Sequence, residues 1–176
     1  GRGSKGNIVT KYPVKKINLL EVGSSSLGAQ KIWIDEVSGR LNKEERGKFL
    51  GQFDTGDNLI AIFNNGHYEV FEIDFNKKID AANLLDIGKL TEDTVISCVY
   101  FEGEKSWTMV KRFKIETSSN DQAFKFISES SGSKLYYASL NPEPKIQFSY
   151  RKNKAKIDEQ LDINDFIDVK GWKALG

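Results

Sequence analysis

The sequence predicts an all-β fold built from repeated units, and three observations carry this prediction. Short runs rich in β-branched and aromatic residues alternate with turn residues along most of the chain. Three pairs of such runs surround turns centred near residues 66, 103 and 142, a spacing of 37 to 39 residues. A period of that size is typical of repeat proteins, in which each unit stacks on its neighbour. Helical patterns are short: Asn42 to Phe49 and Asp80 to Leu90 fit a short helix or a turn.

The clearest element is a hairpin between Asn58 and Asp74. Two strand-like runs, N-L-I-A-I-F and H-Y-E-V-F-E-I-D, flank the turn residues Asn64-Asn65-Gly66. Asn-Gly supplies the positive φ angles that a tight hairpin turn requires. This hairpin therefore anchors the repeat pattern.

Two later segments repeat the same plan. Thr94 to Glu116 has its turn at Glu102–Lys105, and Lys134 to Lys152 has a proline-containing turn at Asn141–Pro144. Four-stranded blades of roughly 40 to 50 residues are one way to use such a period. We therefore expect a single domain over residues 1–176, with approximate repeats 1–50, 51–90, 91–130 and 131–176.

Composition places the chain among soluble, cytoplasmic domains. It has 176 residues, of which 39% are hydrophobic and 29% charged, and this balance excludes a largely disordered chain. No apolar run approaches the roughly 18 to 20 residues needed to cross a bilayer, so we expect no membrane contact. The lone Cys98 cannot form an internal disulfide, which fits a reducing compartment. Because the chain opens with Gly1 rather than Met, we expect it to be a fragment of a longer protein.

The charges are unevenly distributed, although their sum is only +1. Residues 1–20 carry five basic residues and no acid, and so do residues 145–156. Residues 54–104 carry eleven acids against three lysines. Such a separation lets a near-neutral chain present one basic face, while ordinary solvated loops would explain the same charges equally well.

No motif in the sequence indicates an assembled active site. The only histidine, His67, is expected to be an exposed turn residue, and Cys98 a small core residue. A zinc site would need carboxylates alone, which is unusual. The phosphate loop G-x-x-x-x-G-K-[ST] and the elbow G-x-S-x-G are both missing from the sequence. We therefore expect no catalytic site in this chain.

The opening segment, G-R-G-S-K-G, combines three glycines with two cations. Glycine leaves backbone amides accessible, while Arg2 and Lys5 can reach phosphate oxygens. This chemistry is that of sequence-independent DNA binding, although a Gly-Ser tag left by cloning has a similar composition.

The segment G-R-G-S-K-G-N-I-V-T-K-Y-P-V-K-K-I resembles the basic glycine box and following strand in the C-terminal domain of the topoisomerase IV A-type chain, in its Bacteroidetes-like form. The resemblance continues through L-G-A-Q-K-I-W-I-D, R-L-N-K-E-E-R-G-K-F-L-G-Q-F, D-N-L-I-A-I-F-N-N-G and V-K-R-F-K-I-E to the final D-F-I-D-V-K-G-W-K-A-L-G. It therefore covers essentially the whole chain. Gyrase A carries a fuller box, Q-R-R-G-G-K-G, whereas this chain lacks the leading Gln and one Arg and has Ser4 in place of Gly. Strong gyrase-like wrapping of DNA is accordingly not expected.

The resemblance implies a β-pinwheel, a propeller-like arrangement of about three to four four-stranded blades that exchange a strand with their neighbours. It also implies non-sequence-specific binding and bending of double-stranded DNA along a basic outer rim. The bound duplex would be steered to the catalytic core for ATP-dependent relaxation or decatenation.

The chemistry of the parent topoisomerase IV would lie elsewhere, in the catalytic core of its DNA-cleaving subunit, of which this domain is the end, and in its ATP-hydrolysing subunit. These parts use ATP and Mg²⁺. The resemblance implies that this domain needs no cofactor of its own and acts at the nucleoid in the cytoplasm. As an isolated domain we expect it to be monomeric.

We predict a set of basic side chains that contact the DNA backbone, from the first segment, the second hairpin, the third hairpin and the C-terminus. They are Arg2, Lys5, Lys11, Lys15, Lys16, Lys111, Arg112, Lys114, Arg151, Lys152, Lys154, Lys170 and Lys173. The acidic residues 54–104 would face away from the duplex.

Two alternatives remain open. One is a β-repeat module that binds another protein through the acidic middle, with tyrosines and tryptophans as anchors, although Trp33 and Trp107 lie in strand patterns that favour burial. The other, within the resembled family, is a gyrase A wrapping domain.

Overall fold

The computed structural model describes residues 11–15, 29–116 and 119–176. Within these ranges the strands are β1 (Gln30–Asp35), β2 (Arg40–Asn42), β3 (Lys48–Phe53), β4 (Asn58–Phe63), β5 (His67–Glu72), β6 (Leu84–Lys89), β7 (Val95–Glu102), β8 (Trp107–Lys114), β9 (Ala123–Lys125), β10 (Lys134–Ser139), β11 (Lys145–Lys152) and β12 (Ala155–Asp162). The helix α1 spans Ile163–Phe166. None of the helices in the described ranges is long and apolar enough to cross a membrane.

The described strands form four antiparallel sheets, which confirms the predicted all-β class. Their strand orders are β2-β1-β3 in sheet 1, β6-β4-β5-β9 in sheet 2, β10-β7-β8 in sheet 3 and β11-β12 in sheet 4. In the first three sheets, the strand that comes first in the chain is flanked by the second on one side and by the third on the other. This shared order is the structural repeat.

A segment from the following repeat reaches the second-strand side of each of these three sheets. In sheet 1 the Ile79 N–H donates to the carbonyl of Gly39, next to β2, at 2.8 Å. In sheet 2 the exchanged segment is β9, which pairs with β5. In sheet 3 Lys170 bridges to Phe113 of β8, and its N–H donates to the carbonyl of Arg112 at 2.8 Å. Each unit is therefore completed by its successor.

Sheet 2 lies between two hydrophobic cores. Alternate residues of β4 point to opposite faces, so that Ile60 and Ile62 join the core shared with sheet 3. Leu59 and Ala61 join the core shared with sheet 1. All four side chains are fully buried. Burial on both faces explains why this strand reads as a continuous apolar run instead of an alternating one.

The first two predicted hairpins form, as β4–β5 and β7–β8. The turn of the first differs in detail, because only Gly66 of the Asn-Gly pair has a positive φ, of 81°. The Gly66 N–H donates to the carbonyl of Phe63 at 3.0 Å, as in a type I turn followed by a glycine bulge. The segments 42–49 and 80–90 form turns that lead into β3 and β6 rather than helices.

The third predicted hairpin is wrong. The strands on either side of Asn141–Pro144 do not pair with each other, because β10 pairs with β7 and β11 pairs with β12. The true hairpin turn is Asn153-Lys154, whose φ angles of 50° and 67° are those of a two-residue type I′ turn. The proline-containing segment instead connects sheet 3 to sheet 4.

Asp86 on β6 ties three sheets together. Its Oδ1 accepts a hydrogen bond from Lys48 Nζ of sheet 1 at 3.2 Å. Its Oδ2 accepts from the backbone N–H of Leu140, just after β10 of sheet 3, at 2.9 Å. Because β6 is an edge strand of sheet 2, this one carboxylate holds the neighbouring sheets on that side.

Candidate nucleic-acid interface

The cations predicted from the first segment fall mostly outside the described residues. This applies to Arg2, Lys5 and Lys16. Lys11 and Lys15 are described, and both are exposed. The remaining predicted cations lie on β8, on the β11–β12 hairpin and in the C-terminal segment.

Lys111 is removed from the predicted set, because its side chain is only 3% exposed. It lies opposite Cys98 in the register of β7 and β8, on the face that packs into the core. Its ammonium donates to the backbone carbonyls of Phe126, at 2.7 Å, and Trp172. Burial lowers the pKa of Lys111. Strand alternation thus gives this lysine a structural role, and the prediction of a DNA contact does not hold for it.

The other predicted cations of β8 and the C-terminal segment are neighbours, and we call them the β8–C-terminal cluster: Arg112, Lys114, Lys170 and Lys173. The exchanged segment places Lys170 alongside Arg112 through their backbone hydrogen bond. Arg112 is half-buried and donates from Nη1 to the carbonyl of Ile167 at 3.1 Å. The three lysines are exposed, although Lys114 donates to the carbonyl of Glu92 at 3.0 Å. The cluster therefore offers three ammonium groups at one sheet edge.

The end of the β11–β12 hairpin carries four exposed cations and no acid within residues 151–156. We call these four residues the hairpin tip: Arg151, Lys152, Lys154 and Lys156. Lys156 pairs with Asp158 at 3.2 Å. Across the described part of the chain, the other three have no ion-pair partner. The hairpin tip is thus a compact, largely uncompensated positive charge.

The two faces of this hairpin differ in chemistry. Cross-strand pairs on the polar face are Lys145 with Asp162, Gln147 with Gln160, Ser149 with Asp158 and Arg151 with Lys156. On the other face they are Ile146 with Leu161, Phe148 with Glu159, Tyr150 with Ile157 and Lys152 with Ala155. The rings of Phe148 and Tyr150 stack there with centroids 6.2 Å apart. The ribbon is therefore amphipathic, with its cations gathered at the end.

Several acids of the 54–104 region have structural roles. Glu102 is buried and accepts hydrogen bonds from the Lys105 backbone N–H at 2.7 Å and the Ser128 hydroxyl at 2.8 Å. These bonds lower the pKa of Glu102 to about 2. Asp57 pairs with Lys89 at 2.7 Å. These carboxylates stabilise turns and strand ends rather than form a free acidic face.

The model of a protein family described as the topoisomerase C-terminal domain of Bacteroidota matches residues 40–176. The chain belongs to this family. No curated protein and no solved structure matches the chain significantly. The match begins at the first residue of β2 and includes both the hairpin tip and the β8–C-terminal cluster of this topoisomerase C-terminal domain.

Sequence reasoning missed one cationic site in the topoisomerase C-terminal domain. Arg40, Lys43 and Arg46 line a cleft of about 400 Å³ beside β2. Their segment also contains Glu44 and Glu45, and Glu44 pairs with Arg46 at 3.5 Å. The interspersed acids kept the net charge of this stretch low, so a count of charges did not single it out.

Four residues singled out by the sequence have different outcomes. Cys98 is fully buried, as predicted. His67 is half-buried at the start of β5 rather than exposed in the turn. Trp33 is half-buried against Phe49, at 4.9 Å between ring centroids. The expected burial of Trp107 is wrong, because it is 59% exposed at the start of β8.

The described ranges contain no group of three or more His, Cys, Asp or Glu side chains that could hold a metal ion.

Proposed function

We propose that this topoisomerase C-terminal domain binds double-stranded DNA through its phosphates, without sequence preference, and bends it. The observation that carries the proposal is the hairpin tip, where residues 151–156 hold four exposed cations and no acid in a topoisomerase domain. Cations in this setting release counterions from DNA and supply affinity that does not depend on sequence. The β8–C-terminal cluster adds further phosphate contacts, which offset a bending cost on the order of 1 to 6 kcal/mol.

The parent enzyme in this proposal is a type IIA topoisomerase, topoisomerase IV rather than gyrase, with this domain at the end of its DNA-cleaving subunit. The shorter glycine box with Ser4 supports that choice. The catalytic core of the same polypeptide, together with the ATP-hydrolysing subunit, would supply strand passage with ATP and Mg²⁺. This domain, cytoplasmic and nucleoid-associated, would deliver the duplex and supply no catalytic group or cofactor of its own.

We further propose that the sheets are blades of a β-pinwheel. Two observations support this arrangement: the strand order shared by sheets 1, 2 and 3, and the exchanged segment from the next repeat at each of them. Sheet 4 supplies two strands in the same chain order, and the four sheets together agree with three to four blades.

Fluorescence anisotropy with a labelled random-sequence duplex tests DNA binding. We expect the Kd of the unaltered domain to rise by orders of magnitude between about 50 and 200 mM salt. The variant Arg151→Gln/Lys152→Gln should bind more weakly and show a slope of log K against log salt that is smaller by up to about 2. The matched control Lys78→Gln/Lys134→Gln, which removes two exposed cations from other parts of the surface, should bind like the unaltered domain.

Three results would contradict the proposal. They are an affinity that does not change with salt, an equal loss of affinity in the control variant, and a single strongly favoured site in a screen of random duplexes.

Binding of another protein is a second candidate function, and exposed aromatic side chains favour it. Trp107 is 59% exposed and Tyr136 is 57% exposed. Aromatic residues of this kind are common anchors of protein interfaces. A domain that binds only protein would show no salt-dependent affinity for the random duplex, so the same assay separates the two functions.

A further inference from the structure

We propose that the β11–β12 hairpin enters the major groove of the duplex with its tip first. This inference rests on the proposed DNA binding and adds the part of the duplex that the domain occupies. Three features of the hairpin carry it: its free length, the arrangement of cations around its end, and the change of charge along its strands.

The hairpin is a free two-stranded ribbon. Nearly every residue from Gln147 to Lys156 is exposed. The base of the ribbon is held to α1, where the Ile163 N–H donates to the carbonyl of Pro144 at 3.0 Å. Two paired strands lie about 4.8 Å apart, and with their side chains they fill a space on the order of 10 Å. The major groove, about 12 Å wide, admits such a ribbon, whereas the minor groove, about 6 Å wide, does not.

Cations surround the end of the ribbon. Arg151 and Lys156 are opposite each other on the polar face, while Lys152, opposite Ala155, lies on the other face. Lys154 occupies the turn itself. The major groove has a phosphate backbone on either side and base edges at its floor. Cations on both faces and at the end of the ribbon match that distribution of negative charge.

The arrangement is unfavourable for the hairpin alone. Arg151 and Lys156 have like charges in directly opposed positions, which destabilises an antiparallel pair. Lys154 has a φ of 67°, a left-handed conformation that side chains other than Gly, Asn and Asp seldom adopt. A polyanion around the tip removes the repulsion between the two cations. The charges therefore fit a bound state better than a free one.

The change of charge along the strands limits how deeply the ribbon enters. The acids of β12 all lie below the tip: Asp158, Glu159 and Asp162. The major groove is about 8.5 Å deep, which corresponds to two to three residues of each strand at roughly 3.3 Å per residue. Counted from the turn, that depth covers residues 151–152 and 155–156. The groove therefore takes up the basic part of the ribbon and leaves the acidic part outside.

Dimethyl sulfate probing of the bound duplex tests the inference. This reagent methylates guanine N7 in the major groove and adenine N3 in the minor groove. At saturating protein and low salt, we expect protection of guanine N7 and unchanged reactivity of adenine N3. The variant Arg151→Gln/Lys156→Gln should lose the N7 protection even at concentrations that saturate the duplex. The matched control Lys170→Gln/Lys173→Gln, with the same change of charge in the β8–C-terminal cluster, should bind more weakly but keep the protection.

A second measurement uses the unaltered domain, so it does not depend on the folding of any variant. Glucosylated 5-hydroxymethylcytosine fills the major groove with sugar, and a duplex that contains it should bind about tenfold more weakly than the plain duplex, a difference of about 1.4 kcal/mol. Saturable binding without N7 protection, or equal affinity for the two duplexes, would overturn groove entry and leave the proposed function intact. Absence of any duplex binding would overturn the proposed function and the groove entry with it.

Discussion

Lys111 is the residue in which charge and strand period give opposite expectations. Its charge favours exposure, and the sequence interpretation followed the charge. Its position two residues before Phe113 favours the core face, because alternate residues of a strand share a face. The structure follows the period. The carbonyls that accept its hydrogen bonds belong to Phe126 and Trp172, which are too distant along the chain for sequence reasoning to have supplied them.

Replacing Lys111 by Met should destabilise the domain without weakening the binding of DNA by the folded protein. The variant leaves the carbonyls of Phe126 and Trp172 without their donor, which should lower the free energy of unfolding by about 1 to 3 kcal/mol. Urea denaturation measures this change. The control Lys114→Met, on the same strand but exposed, should stay within about 0.5 kcal/mol of the unaltered domain. A Lys111→Met domain of unchanged stability but reduced duplex affinity would contradict the structural role.

Glu102 should make the stability of the domain depend on acid pH. Its pKa is about 2 in the folded state, below the ordinary value of 4.5, so the folded state favours the charged carboxylate. The stabilisation is complete above the ordinary pKa and is lost as the pH falls from about 4.5 towards about 2. We expect Glu102→Gln to lower the Tm at neutral pH, and the two Tm values to converge as the pH approaches 2. A Tm difference that stays constant over this range would show that the charge of Glu102 is not the cause.

At the scale of elements, local turn signals were sufficient where the two strands of a hairpin also pair in the sheet. Gly66 and the turn at 103–106 each join strands that pair with each other, so two hairpins were predicted correctly. The segment Asn141–Pro144 carries an equally good turn signal, yet it joins strands of different sheets. The choice of partner for β10 depends on the open side of β7, which no local pattern encodes. The true turn at Asn153-Lys154 lacks the usual Gly and was missed.

Asp86 is expected to hold sheets 1, 2 and 3 in place. In Asp86→Ala the backbone N–H of Leu140 loses its acceptor and Lys48 loses its ion-pair partner. Leaving a part-buried donor unsatisfied should lower the free energy of unfolding by about 1 to 3 kcal/mol, as measured by urea denaturation. The control Glu72→Ala removes an exposed carboxylate from the same sheet and should change stability by less than about 0.5 kcal/mol. Equal effects of the two substitutions would argue against this role of Asp86.

At the scale of the whole molecule, the sequence predicted the all-β class and the topoisomerase family, because both depend on patterns that extend along the entire chain. Strand exchange was implied only by the family resemblance. The residues alone do not reveal it, because β9 has only three residues and pairs with a strand of the preceding repeat. Charge counting located the basic segments but not their placement. The described cations form separate groups on the hairpin tip, at the edge of β8 and beside β2, a division that depends on tertiary structure.

The exchanged segments have a consequence for the birth of the protein on the ribosome. Sheet 1 needs Ile79, sheet 2 needs β9 and sheet 3 needs Lys170, and each of these is translated well after the strands that it completes. A newly emerged repeat therefore waits, with an open edge, until the next one has left the exit tunnel. Folding should advance in steps that lag synthesis by one repeat, and slow translation between repeats would prolong the exposure of those edges to other nascent chains.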